Sequence, residues 1–180
     1  MMTDPEKKMF EDMLTKSHRG LLFDGEEEFE HLIEYLSERL RKSPGNATAL
    51  NNRGLAYSKL GRPGEALADF DAAIKYDPDN PVHWINRARE ELHQGNIEAA
   101  IEDMSQLILR QPGNVFFRRL RGGLQMDAGD FEGAARSFSE AIEIDPYCAD
   151  AYLNRADALA RMKKLEASMR DRRRARELKE

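Results

Sequence analysis

Four prolines, Pro44, Pro78, Pro112 and Pro146, stand 34 residues apart, and this spacing constrains the fold more than any other feature of the chain. Proline cannot continue a helix and pushes the residue before it out of the α region. Each of the four therefore marks a helix end. Three run on into turn sequences, Pro44-Gly45-Asn46, Pro78-Asp79-Asn80 and Pro112-Gly113-Asn114. A fixed period of this length signals stacked units that cannot bury their apolar faces alone.

Cutting the chain in that frame aligns columns of constant size. The eighth position is small in every copy: Gly20, Gly54, Ala88, Gly122 and Ala156. The twentieth is Ala66, Ala100, Ala134 and Ser168, with Leu32 in a degenerate first copy. The twenty-fourth is Leu36, Phe70, Met104 and Phe138, and the twenty-eighth is Leu40, Ile74, Ile108 and Ile142. Small residues let two helix backbones approach while large ones fill the flanking space. Gly61, Gly95 and Gly129 suit a turn that needs positive φ. Ala66, Phe70, Ala73 and Ile74 repeat with helical period, and no useful alternating run suggests a strand. The reading is all-α, each unit a helix, a turn and a helix.

These residues resemble the tetratricopeptide repeat. Leu50, Gly54, Tyr57, Ala66, Phe70, Ala73 and Pro78 match its signature in order. Trp84, Ala88, Ala100 and Pro112 continue it, then Gly122, Ala134, Phe138, Ala141 and Pro146, then Tyr152, Ala156 and Ala175. The resemblance implies a right-handed superhelical α-solenoid of about five 34-residue repeats. The expected divisions are 1–46, an N-terminal cap and degenerate repeat; repeats at 47–80, 81–114 and 115–148; and 149–180, a C-terminal repeat and basic cap. In the first copy Phe10, Met13, Leu14 and Leu21 could form an apolar face. Asp24-Gly25 breaks the chain, and Glu26-Glu27-Glu28 opens a helix at its favourable end.

One column is strict: Arg19, Arg53, Arg87, Arg121 and Arg155 occupy the seventh position. It lies beside the packed face of the first helix, where an unpaired charge is costly. The twenty-third column offers Asp69, Asp103 and Asp171, with Ser137 and Tyr35 as exceptions. Pairs Arg53–Asp69, Arg87–Asp103 and Arg155–Asp171 are expected to orient helix on helix.

By the same resemblance, partners lie in a concave groove lined by first helices. The sixth column reads Asn52, Asn86, Leu120 and Asn154, and asparagine amides can both donate to and accept from a peptide backbone. Asn51, Lys59, Arg89, His93 and Arg119 complete the expected groove, with Val82 and Phe116 as apolar candidates. A subset of the family clamps chaperone tails through two carboxylates. Of the residues that clamp requires, only Asn86 is present; Asn51, Leu55, Ile85 and Arg89 stand in its other columns.

Composition narrows the function. The 180 residues carry 28 Lys plus Arg against 33 Asp plus Glu, net −5, which argues against a nucleic-acid coat. The balance is uneven: residues 1–160 carry −10 and 161–180 carry +5. Arg170, Arg172, Arg173, Arg174 and Arg176 crowd the last segment, where a solvated cap, head-to-tail self-association into a homo-oligomer, or binding of an anion or RNA are alternatives. No aromatics interleave these arginines, which counts against nucleic acid. No apolar run approaches the roughly 18 residues of a membrane span. Met1–Lys8 has no apolar signal core, and Cys148 stands alone, so a reducing cytoplasm is expected. His18, His31, His83 and His93 have no metal-ligand spacing. HExxH, CxxC and phosphate-binding glycine loops are missing. The expectation is a non-catalytic scaffold with no cofactor, binding a protein or peptide.

Overall fold

The computed structural model describes residues 25–180. Among them the chain forms nine α-helices and no strand: α1 Glu26–Lys42, α2 Ala47–Lys59, α3 Pro63–Tyr76, α4 Pro81–His93, α5 Ile97–Arg110, α6 Val115–Asp127, α7 Phe131–Ile144, α8 Ala149–Arg161 and α9 Leu165–Glu177. The anticipated first-copy residues Phe10, Met13, Leu14, Arg19, Leu21 and Asp24 lie outside the described residues.

The helix boundaries follow from local chemistry. The asparagine after each turn caps a first helix: Asn46 Oδ1 accepts from Ala49 N at 3.0 Å, Asn80 Oδ1 from Val82 N at 3.1 Å, and Asn114 Oδ1 from Phe116 N at 3.0 Å. In the fourth copy Cys148 takes the cap position and its side chain caps nothing. Gly61, Gly95 and Gly129 all adopt positive φ, and so does Lys163, at 62°. In each case the following N–H closes onto a carbonyl five residues back, as from Arg62 to Tyr57 and from Lys164 to Leu159, both at 2.9 Å. A lysine at this position was not anticipated. The turn geometry overrides its own conformational preference. Helix α1 begins with Glu26, Glu27 and Glu28, as expected, and buries Phe29, Leu32, Ile33, Leu36 and Leu40.

Two compact units divide the described residues, 25–90 and 91–180. In the first, α2 packs on α1 and α3. The Phe70 ring lies over Gly54, where a Cβ would sit 2.8 Å from Cε1 and 3.1 Å from the Ala66 carbonyl oxygen. In the second, α5 packs on α6, α6 on α7, α7 on α8, and α8 on α9. There Phe138 stands over Gly122 in the same way, packed with the fully buried Ala134 and Ala158. Burying a phenylalanine ring contributes roughly 2–3 kcal/mol. Glycine is what allows the ring to approach the neighbouring backbone this closely. The odd residue of the first copy, Leu32, is fully buried, and Arg39 beside it donates to the Tyr35 hydroxyl.

Candidate functional site

The arginine column forms clasps that join three helices. Arg53 on α2 donates Nε and Nη2 to both carboxylate oxygens of Asp69 on α3, each at 2.7 Å. Its Nη1 donates to Ser37 Oγ on α1 at 2.9 Å. Arg155 on α8 repeats this with Asp171 on α9, at 2.7 and 2.8 Å, and with Ser139 on α7 at 3.1 Å. Two of the three expected pairs are thus bidentate forks, which are strong and directional. In both, the carboxylate hydrogen bond raises the arginine pKa above its ordinary value despite the opposing effect of burial. The third expected pair, Arg87 with Asp103, has one member in each unit. Within the first unit, Arg87 donates to Asp71 on α3. Arg121, which has Ser137 where the others have aspartate, donates to Ser137 Oγ at 2.9 Å and to Glu140 Oε2 at 2.7 Å.

The preceding-helix partners were not anticipated. They are Ser37, Asp71 and Ser139, sixteen residues before Arg53, Arg87 and Arg155; Ser105, in the same column before Arg121, donates instead to the Ile101 carbonyl at 3.0 Å. The uniformly polar character of that column was the available signal.

On the first helices of the first unit, four expected groove residues come together in a one-way chain of hydrogen bonds. Arg89 Nη2 donates to Asn86 Oδ1 at 3.0 Å, Asn86 Nδ2 to Asn51 Oδ1 at 2.8 Å, and Asn51 Nδ2 to Asn52 Oδ1 at 3.4 Å. Asn51 and Asn86 are buried, so their amides join α2 to α4 rather than lie open. Asn52 is half-buried, and its own amide N–H groups terminate the chain. Arg89 is exposed at the other end. Ser58 on α2 donates to the buried carboxylate of Glu90 on α4, a second polar link between these helices. Lys59 and His93 are exposed and stand outside the hydrogen-bonded chain; Val82 is about half exposed.

The second unit arranges its expected residues differently. Arg119 on α6 donates to Asp150 on α8 at 3.1 Å. Asn154 is half-buried and Phe116 is exposed, its ring edge-on to the buried Phe117. Arg118 was passed over in the sequence, yet it occupies the column of Leu50, Trp84 and Tyr152. Its side chain is only 12% exposed. Its Nε and Nη1 find no hydrogen-bond partner, and the Glu140 carboxylate lies 3.5 Å away, shared with Arg121.

Among the described residues no group of three or more His, Cys, Asp or Glu side chains could hold a metal ion. None of the described helices is long and apolar enough to cross a membrane.

Comparisons with known proteins agree with the repeat geometry. Family models described as tetratricopeptide repeat match residues 47–80, 85–147 and 125–170. Human tetratricopeptide repeat protein 13 is 29% identical over 122 residues, 65% of this chain and 14% of the relative. The small glutamine-rich tetratricopeptide repeat-containing protein of Dictyostelium discoideum is 29% identical over 144 residues, 76% of this chain and 42% of the relative. The chain thus spans less than half the length of these relatives. Among solved structures, MamA from Desulfovibrio magneticus RS-1 superposes with a TM-score of 0.71 at 18% identity, covering 99% of this chain and 97% of that one. YrrB, described as a TPR protein with an unusual peptide-binding site, gives 0.66 at 19% identity, over 84% of this chain and 78% of that one. With matching models across more than half of its length and the same helix-turn-helix architecture, the chain belongs to the tetratricopeptide-repeat family.

Proposed function

We propose that this chain is a non-catalytic adaptor that binds an extended segment of a protein partner along its first helices. The observation that carries the reading is the one-way hydrogen-bond chain from Arg89 through Asn86 and Asn51 to Asn52. Every amide in it donates in the same direction, and such chains polarise one another. The open end is the pair of amide N–H donors on Asn52, which can donate to a peptide carbonyl. The exposed guanidinium of Arg89 favours an acidic residue on the same segment. A solved relative is itself described as having a peptide-binding site, which is consistent with this use of the fold. A reducing cytoplasm suits the unpaired Cys148.

Selection of peptides from a displayed library on the intact chain tests the reading. Asn52→Ala and Arg89→Ala should each weaken the selected peptides by roughly three- to thirtyfold, the range for lost neutral and charged hydrogen bonds. Lys75→Ala, an exposed change on α3, should leave them unchanged. Peptides that bind both first-helix variants at full affinity would refute it.

A further inference from the structure

In α1 the columns facing the next first helix are Phe29, Ile33, Leu36 and Leu40; in α7 they are Phe131, Ala135, Phe138 and Ile142. The covering helix meets them with two small residues. Leu36 and Leu40 share a cluster with Ala49 and Ala56 of α2. Phe138 packs with Ala158, and Ile142 with Ala151, both of α8. Each covering pair stands seven residues apart, two turns along one helix face.

In α9 the same four columns are Leu165, Met169, Arg172 and Arg176. Leu165 is 58% and Met169 64% exposed, and both arginines are exposed. Arg172 reaches back to Asp157 of α8 at 2.6 Å. Leu165 and Met169 stand one helical turn apart and one turn before the arginines on this face. The face is apolar where a seated helix would begin to touch and cationic where its small pair would fall.

We infer that this face of α9 is a docking surface for an amphipathic helix of a protein partner carrying two carboxylates seven residues apart. One would lie over Arg172 and the other over Arg176, the places that Ala158 and Ala151 take over α7. In the register that Ala151 and Ala158 occupy, the described first helices of a second copy do not supply two carboxylates. The corresponding pairs on its described first helices are Ala49 and Ala56, His83 and Glu90, Phe117 and Leu124, and Ala151 and Ala158. Seating any of them would strip water from at least one guanidinium without providing a counter-charge, which is costly. The face shares no residue with the amide chain on α2 and α4, so its fate does not depend on that reading.

The test uses the full chain and a labelled synthetic helical peptide with leucines on one face and glutamates at two positions seven apart. Companion peptides carry alanine or lysine at those two positions. Fluorescence anisotropy should show the glutamate peptide binding at least about tenfold tighter than the alanine peptide, as expected for close charge pairs at an interface. The double variant Arg172→Glu, Arg176→Glu should lose the glutamate peptide and take the lysine peptide instead. Circular dichroism melts verify that the variant is folded. Equal affinity for the glutamate and alanine peptides would overturn the inference, and so would retention of the glutamate peptide by the reversed variant. Full binding after Leu165→Ser and Met169→Ser would reduce the face to a general anion patch, which also overturns it. So would a concentration-dependent rise in mass that the charge reversal abolishes, since it would assign the face to a second copy.

Discussion

Replacing Gly122 by alanine isolates the contact between small and large columns. A Cβ at Gly122 would lie 2.5 Å from Phe138 Cε1, 2.7 Å from Cζ and 2.8 Å from Cδ1. Carbon atoms rest about 3.5–4.0 Å apart, so the ring would have to retreat by about 1 Å. It is 1% exposed and held between Ala134 and Ala158, so it has nowhere to go. Overpacking of this kind costs about 1–3 kcal/mol, against a gain of about 1 kcal/mol from alanine's helix propensity. Gly122→Ala should therefore be neutral to destabilising by about 2 kcal/mol in urea unfolding. Gly123 is an internal control, because a Cβ there meets nothing within 4 Å. Gly123→Ala should stabilise by about 1 kcal/mol. Phe138→Met removes the obstructing ring, and in that background Gly122→Ala should also become stabilising by about 1 kcal/mol. In the four later copies the sequence follows this coupling: glycine stands in the small column where the twenty-fourth is Phe70 or Phe138, and alanine where it is Met104 or Arg172, whereas the degenerate first copy pairs Gly20 with Leu36. If Gly122→Ala stabilised as much as Gly123→Ala in the parent chain, the steric argument would be wrong.

Three further changes have definite signs. Lys163→Gly relieves a side chain from positive φ and should raise stability by about 0.5–1 kcal/mol, read as a shift in urea midpoint at constant slope. Arg118→Tyr restores the ring found at Tyr152 and leaves Glu140 to Arg121. It should stabilise by about 1 kcal/mol or more, and destabilisation would mean that Arg118 is better satisfied than its geometry indicates. His83 is buried with both ring nitrogens unpartnered, and burial lowers its pKa below the ordinary 6.5 despite the Asp77 carboxylate 3.7 Å away. The unfolded chain thus binds the proton more readily, so stability is full above pH 6.5 and falls as the pH drops below it. His83→Phe, which places the residue type of Phe117 there, should flatten that dependence in unfolding measured from pH 8 to pH 5.

The elements whose cause lies within a few residues were legible in the sequence. The turns that follow the prolines, the turn glycines and the opening acids of α1 all act over less than one helical turn. Column logic extended this to Arg53–Asp69 and Arg155–Asp171, because the repeat converts a sequence interval into a helix-to-helix distance. It stopped at departures from the column. Lys163 keeps the turn although its residue type argues against it. Arg118 enters an apolar column without a local signal. Asn51 and Asn86 face each other across α2 and α4, 35 residues apart, which turns two expected ligand contacts into an interior link. Which amides are consumed internally depends on the register between helices, and single columns do not encode it.

The arginine clasps bear on cooperativity. Each reaches sixteen residues back and sixteen forward, so a single guanidinium reports on the presence of two second helices at once. In a one-dimensional stack, stability is a sum of unit terms and nearest-neighbour terms. A side chain that overlaps two units contributes to the neighbour term, the one that suppresses partial fraying. The clasp therefore acts less as a rivet within a hairpin than as an overlap between shingles. Cutting it should lengthen the list of partly open states seen by hydrogen exchange before it changes the helices themselves.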